Sequence, residues 1–211
     1  MNKSTSPLTA IFITSLFLLA CALLPIPGTT PAAPPTFFPS TVTSLEQPTR
    51  TGPENENLLV EAPSGFKIDY QADQNDLVIT EMVTEGESVN DWTTLITVQI
   101  FLGLTNTTPE QYQDTLIQSW FDACSGSESY PVADGAENGY NFVLWQLYCP
   151  LNPATQKVEY AYLKAIQGND SFYLVQVAFR HEPSNDEITQ WMNYFKEVQV
   201  CDSRIPERAC P

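Results

Sequence analysis

The chain has 211 residues, 43% of them apolar, and sets 25 acidic side chains against nine basic ones for a formal net charge of −16. Such a surface repels nucleic-acid phosphates and anionic lipid headgroups, so DNA or RNA is not expected as a partner. The charge is uneven: between Glu46 and Glu137, seventeen acids face only Arg50 and Lys67. Solubility is the simplest use for it.

Lys3 precedes an apolar run from Leu8 to Leu24, interrupted only by Thr9, Thr14 and Ser15. A charged start followed by an apolar stretch reads as a signal peptide over residues 1–20. Leu18-Leu19-Ala20-Cys21 resembles a bacterial lipobox, which implies lipidation of Cys21 and anchoring to a membrane through that lipid. Two alternatives stay open. Ala20-Cys21-Ala22 also suits ordinary signal peptidase, and the apolar run is at the lower length limit for an uncleaved membrane anchor. Residues 21–57 are dense in Pro, Thr and Ser and read as an extended tether. The remainder, 58–211, is long enough for one domain with one well-buried core.

Within that domain, 65–71 and 76–83 read as a hairpin across the polar turn Ala72-Asp73-Gln74-Asn75, and 94–102 as a third strand rich in β-branched residues. Residues 108–124 read as a helix. Thr108 is the N-cap, Pro109 opens the first turn, and Gln111 completes a capping box. Tyr112, Leu116, Ile117, Trp120, Phe121 and Cys124 make its apolar face. Strands are expected at 139–149, 157–166 and 171–179. Gly168-Asn169 would supply the positive φ of a tight hairpin between the last two. Residues 171–179 are apolar on both faces, which suits a central strand covered on both sides. Ser184 and Glu187 box the start of a second helix, with Ile188, Trp191, Met192 and Phe195 facing inward. The expected class is α+β, an antiparallel sheet of about six strands packed with two helices.

Two resemblances follow. "PSGFKIDYQ", the strands after it and the Pro-initiated helix are similar to the PsbP-like group, which includes LpqN-type lipoproteins. That resemblance implies an α/β/α sandwich and an accessory or assembly role. "KAIQG" (164–168), the Tyr173–Arg180 strand and the "VCDSR…C" tail (200–210) resemble a group of exported bacterial proteins, a likeness that implies no activity.

Catalytic motifs are missing. His181 is the one histidine, and its flanks read as a solvated loop; no nucleophile elbow, phosphate loop or zinc-protease motif occurs. Carboxylate pairs such as Glu81/Glu85, Asp69/Asp73 and Asp186/Glu187 are numerous enough to arise by chance, although a glycan hydrolase would use one such pair. No catalytic residue, metal or cofactor is expected. Cys124, Cys149, Cys201 and Cys210 are an even set suited to two disulfides in an oxidising compartment. The pairing Cys124–Cys149 with Cys201–Cys210 is favoured, because a short Pro-containing loop brings the second pair together; two other pairings stay open. Trp92, in the polar stretch "GESVNDWTT", is the one weak binding candidate; Tyr130 and Tyr140 flank what reads as an acidic loop. The function expected is a non-catalytic envelope accessory or binding lipoprotein, periplasmic or at the outer membrane, with a protein partner in the envelope. A soluble secreted form, a lipid or glycan carrier and a carboxylate-dependent glycan hydrolase are the alternatives.

Overall fold

The computed structural model describes residues 55–211. The stretch that reads as a signal peptide (1–20), Cys21 and the stretch that reads as a tether, up to residue 54, lie outside the described residues. The elements run β1 (Glu56–Leu59), β2 (Phe66–Gln74), β3 (Leu77–Thr84), β4 (Thr94–Leu102), α1 (Pro109–Ala123), β5 (Glu128–Glu137), β6 (Tyr140–Cys149), β7 (Glu159–Gln167), β8 (Ser171–Phe179), α2 (Asn185–Glu197) and β9 (Gln199–Asp202), followed by a short 3-10 turn at Pro206–Arg208. Seven strands form an antiparallel sheet ordered β2-β3-β4-β8-β7-β6-β5, and β1 pairs with β9 in a separate ribbon.

The fold is α+β with a helix on each face of the sheet. Successive strand residues point to opposite faces, so Phe172 and Phe179 of β8 look in opposite directions. Phe172 meets Tyr112 of α1 with ring centroids 4.8 Å apart, and Phe179 meets Trp191 of α2 at 6.1 Å. The larger core sits under α2. Ile96, Tyr162, Val175, Val177 and Phe179 pack there against Trp191, Phe195 and Val198. Each such side chain contributes about 1.5–3 kcal/mol of transfer free energy on burial. Both capping boxes form, at Thr108 with Gln111 and at Ser184 with Glu187. One detail of α1 differs from its apolar pattern: Tyr112 and Leu116 are buried, whereas Phe121 is 41% exposed because it lies beyond the stripe that meets the sheet.

The main sheet has seven strands rather than six. The added one is β5, whose Val132–Glu137 portion reads in sequence as an acidic loop. It carries Pro131 and Gly135, has few apolar residues and lies at the edge of the sheet, where one unpaired side tolerates them. It joins β6 through Asn138 and Gly139, both at positive φ (48° and 77°), the backbone that a two-residue hairpin requires. Asn75 and Asp76 do the same between β2 and β3. Both edge strands are irregular, β2 between Ile68 and Tyr70 and β5 between Pro131 and Ala133, which interrupts the row of free backbone groups a second sheet would need.

Gly168 has a different reason for being glycine from the one its turn suggests. It is not among the residues at positive φ. A Cβ there would lie 2.2 Å from Glu56 Oε1 and 2.6 Å from the Ser171 carbonyl oxygen, so the position is reserved by close approach. Glu56 and Asn57, at the end of the stretch that reads as tether, therefore belong to the folded domain.

Disulfides link Cys124 to Cys149 and Cys201 to Cys210. The first fastens the end of α1 to the end of β6; the second closes the C-terminal loop. Loops of 25 and nine residues' separation correspond to about 2–4 kcal/mol each in the chain-entropy account.

Gly168→Ala is expected to destabilise the domain by about 1–3 kcal/mol through overpacking. Glu56→Ala in the same chain should recover part of that loss, because the carboxylate is the nearest clash. Chemical denaturation of the two single variants and the double variant tests this, and additive losses would contradict it.

Candidate functional site

At one end of the sheet, the β5–β6 turn, the β7–β8 loop and the C-terminal disulfide loop converge on a crevice of about 320 Å³. Thr105, Gly139, Tyr140, Asn141, Gln167, Gly168, Asn169 and Arg208 line it. Its floor is fixed by three anchors.

The first anchor is Glu56. Its carboxylate accepts backbone N–H donors from Asn169 at 2.6 Å, Asp170 at 3.0 Å and Ser171 at 3.2 Å, and the Tyr173 hydroxyl at 3.0 Å. Charge-assisted bonds of this kind are the stronger class, and here they hold the β7–β8 loop closed around one side chain of β1. Burial, with the nearby Glu56 charge, pushes the Tyr173 phenol well above its ordinary range.

The second anchor is the C-terminal loop. Arg204 makes a two-pronged pair with Asp202, Nε to Oδ1 at 2.8 Å and Nη2 to Oδ2 at 2.7 Å, and reaches Asp170 at 2.6 Å. These bonds hold the Asp202 carboxyl below its usual value. The same loop carries Arg208, whose guanidinium stacks 4.7 Å from the centroid of the buried Tyr140 ring. A Cβ on Gly139 would come within 2.7 Å of two guanidinium nitrogens, so only glycine lets Arg208 lie flat there. Asn138 Nδ2 donates to the carbonyls of Val200, at 2.9 Å, and Arg208, at 3.4 Å, tying the hairpin turn to the loop.

The third anchor is Lys164, whose side chain is only 1% exposed. Its ammonium donates to the carbonyl oxygens of Phe195 and Val198, both at 2.8 Å, pairs with Glu137, and lies 4.7 Å from the Phe142 ring centroid. The two carbonyls are at the end of α2, where a helix leaves acceptors unsatisfied and favours a cation. Burial lowers the lysine's pKa, and the pairing with Glu137 opposes that shift.

Of the residues singled out in the sequence, Trp92 is buried, 6% exposed, beneath Arg180, whose guanidinium carbon sits 3.9 Å from the ring centroid. Its ring is therefore not presented to a ligand. Tyr130 is exposed on β5, Tyr140 is buried under Arg208, and His181 Nε2 meets Glu187 at 2.9 Å beside the α2 cap. Of the four bonded cysteines none lines the crevice: Cys201–Cys210 closes the loop that carries Arg208, whereas Cys124–Cys149 lies at the opposite end of β6. Glu56, Asn141, Lys164, Gln167 and Arg208 carry no motif. Lys164 and Gln167 fall within the "KAIQG" stretch, and Asn138-Gly139 is a hairpin signal that would have brought Asn141 to a loop edge.

Among the described residues no group of three or more His, Cys, Asp or Glu is placed to hold a metal ion. A second hollow, about 400 Å³, lies beside β1 and the end of α2, lined by Leu58, Leu59, Val60, Glu61, Glu197 and Val198. Glu81 and Glu159 are buried carboxyl groups, pushed upward in pKa mainly by burial. Neither lines either hollow.

No protein-family description and no curated protein matches this sequence. Among solved structures, the chain is similar to the yeast Saccharomyces cerevisiae Ran-binding protein Mog1p (13% identity, 67% of this chain and 85% of that one, TM-score 0.38). It is also similar to cyanobacterial PsbP from Synechocystis (11% identity, 70% and 91%, TM-score 0.42). A third is LpqN of Mycobacterium tuberculosis, described as involved in cell-envelope biogenesis (12% identity, 72% and 86%, TM-score 0.34).

The buried carboxyls give a pH prediction. Glu81 has a folded pKa above its ordinary 4.5, so the native state holds this proton more tightly than the unfolded chain. Its contribution to stability is complete below pH 4.5 and is lost as pH rises through the folded value. Glu81→Gln should therefore raise stability at neutral pH and flatten the decline above pH 4.5. Denaturation midpoints of both proteins between pH 4 and 8 test this; parallel curves would refute it.

Proposed function

We propose that this protein is a non-catalytic accessory or binding protein of the cell envelope, exported and held at a membrane through lipid on Cys21. The observation that carries the binding role is the crevice itself. The loops around it are held by the Arg204 ion pairs, the Glu56 carboxylate, a disulfide and close-packed glycines, and its lining includes no carboxylate pair and no nucleophile beside a base. Preorganised polar groups without a proton-transfer pair suit recognition rather than turnover. The two carboxyls with raised pKa, the kind a hydrolase uses as acid, lie away from that crevice.

Export is supported by the two disulfides, which persist in oxidising compartments. Among the described residues no helix is long and apolar enough to cross a membrane. An acidic domain on a Pro-rich tether would sample several tens of ångströms above the bilayer. It would meet a protein partner there through its loops or its acidic surface. By analogy with sorting in bacteria with two membranes, Ala22 after the cysteine, rather than Asp, favours the outer membrane.

The test is the intact mass of the mature protein from membrane and soluble fractions, with and without inhibition of lipoprotein signal peptidase. A membrane-held species beginning at acylated Cys21 and lost on inhibition is expected, and Cys21→Ser should move the protein out of the membrane fraction. A soluble, unlipidated product in both conditions would overturn the anchored reading.

A further inference from the structure

The crevice's chemistry narrows the ligand. Arg208 is its one charged lining residue, and among the described residues no carboxylate lies within ion-pair distance of it. An arginine so placed invites an anion, but its surroundings oppose one. Two arginines, Arg204 and Arg208, face three carboxylates, Glu56, Asp170 and Asp202, so the rim has one net negative charge in a chain of net charge −16. Burial raises the Tyr140 phenol's pKa, a hydrogen bond with Arg208 opposes that shift, and Glu56 and Asp202 add to it.

The side-chain amides point the same way. Gln167 Nε2 donates to the Thr105 carbonyl at 3.1 Å, which leaves its amide oxygen as an acceptor. Asn169 Nδ2 lies 3.5 Å from the Tyr140 hydroxyl, leaving its own oxygen likewise. Asn141 is exposed and offers both an acceptor and a donor, and Thr105 adds a hydroxyl that does both. A carboxylate only accepts hydrogen bonds and phosphate accepts far more than it donates, so either would satisfy Arg208 and leave the Gln167 and Asn169 amide oxygens facing negative charge. A hydroxyl donates and accepts, and several on one ring match this mixed set.

We propose that the crevice is a binding site for the end of an uncharged saccharide chain, with ring hydroxyls accepting from Arg208 and exchanging hydrogen bonds with Asn141, Gln167, Asn169 and Thr105. The inference rests on the binding-protein reading above and names its ligand class. Gly139 and Gly168 line the crevice with backbone, and a Cβ at either would collide with Arg208 or Glu56. The cavity of about 320 Å³ admits a terminal sugar unit rather than a long chain. Affinity at a site this open is set by a few hydrogen bonds, so a Kd near 1 mM, about 4 kcal/mol, is the scale expected.

The test is saturation-transfer NMR on the mature full-length protein, with chitobiose and cellobiose as neutral probes and inorganic phosphate and acetate as anions titrated in competition. Transfer from at least one disaccharide is expected, unaffected by either anion at equal concentration. Asn141→Ala should weaken binding about 3–10-fold and Arg208→Ala about 10-fold or more, in line with loss of neutral and charge-assisted hydrogen bonds. Asn141 is exposed, so its variant decides the matter even if Arg208→Ala loosens the C-terminal loop. No transfer from either disaccharide, displacement by the anions, or transfer unchanged by Asn141→Ala would each overturn the proposal. Both variants leave Cys21 intact, so their membrane retention reports on anchoring separately from sugar binding.

Discussion

A buried ammonium organises this domain. Lys164 sits in the middle of β7 and points into the core under α2, where a lone charge would be strongly unfavourable. It is tolerated because Phe195 and Val198 present carbonyl oxygens at 2.8 Å and Glu137 supplies a countercharge. Those partners come from α2, the turn after it and the edge strand β5, so one side chain fixes three elements. Where α2 stops decides where β9 starts, and β9 in turn positions β1 and the C-terminal loop that carries Arg208. Removing the ammonium alone would strand Glu137 and two carbonyls. For that reason such a group is costly to break although its net worth relative to an apolar residue is small.

The crevice follows from this arrangement at one remove. Glu56 lies on β1, more than a hundred residues from the loop it closes, and it reaches that loop only because β1 pairs with β9 beside the end of α2. Arg204 and Arg208 are held on the same ribbon's continuation, the second of them flat against Tyr140 because Gly139 has no side chain. Rigid elements and buried partners thus support a surface feature made of loops, the usual division of labour between scaffold and binding site.

The elements with strong local codes were legible in the chain itself. Thr108-Pro109 with Gln111, and Ser184 with Glu187, announce both helices because capping is a local exchange of hydrogen bonds. The double-sided apolar pattern of residues 171–179 marks β8 as central. What escaped was coded weakly or nonlocally. β5 contains Pro131 and Gly135 and has little apolar character, since an edge strand buries only part of itself. Phe121 fits the helical stripe but ends outside it, because the width of the contact depends on the sheet beneath. Trp92 reads as an exposed aromatic in a polar segment and is instead covered by Arg180, which arrives from the end of β8.

Local pattern is enough to specify the class of the domain, its two helices, six of its strands and its acidic character. These depend on period, caps and composition, which act over a few residues at a time. Which residues make the crevice, why Gly168 must be glycine, and that a lysine in a strand is buried against the end of a helix emerge from the folded arrangement. Each of those depends on groups far apart in the chain meeting within about 3 Å, the range over which hydrogen bonds and steric exclusion operate, and no local pattern encodes that meeting.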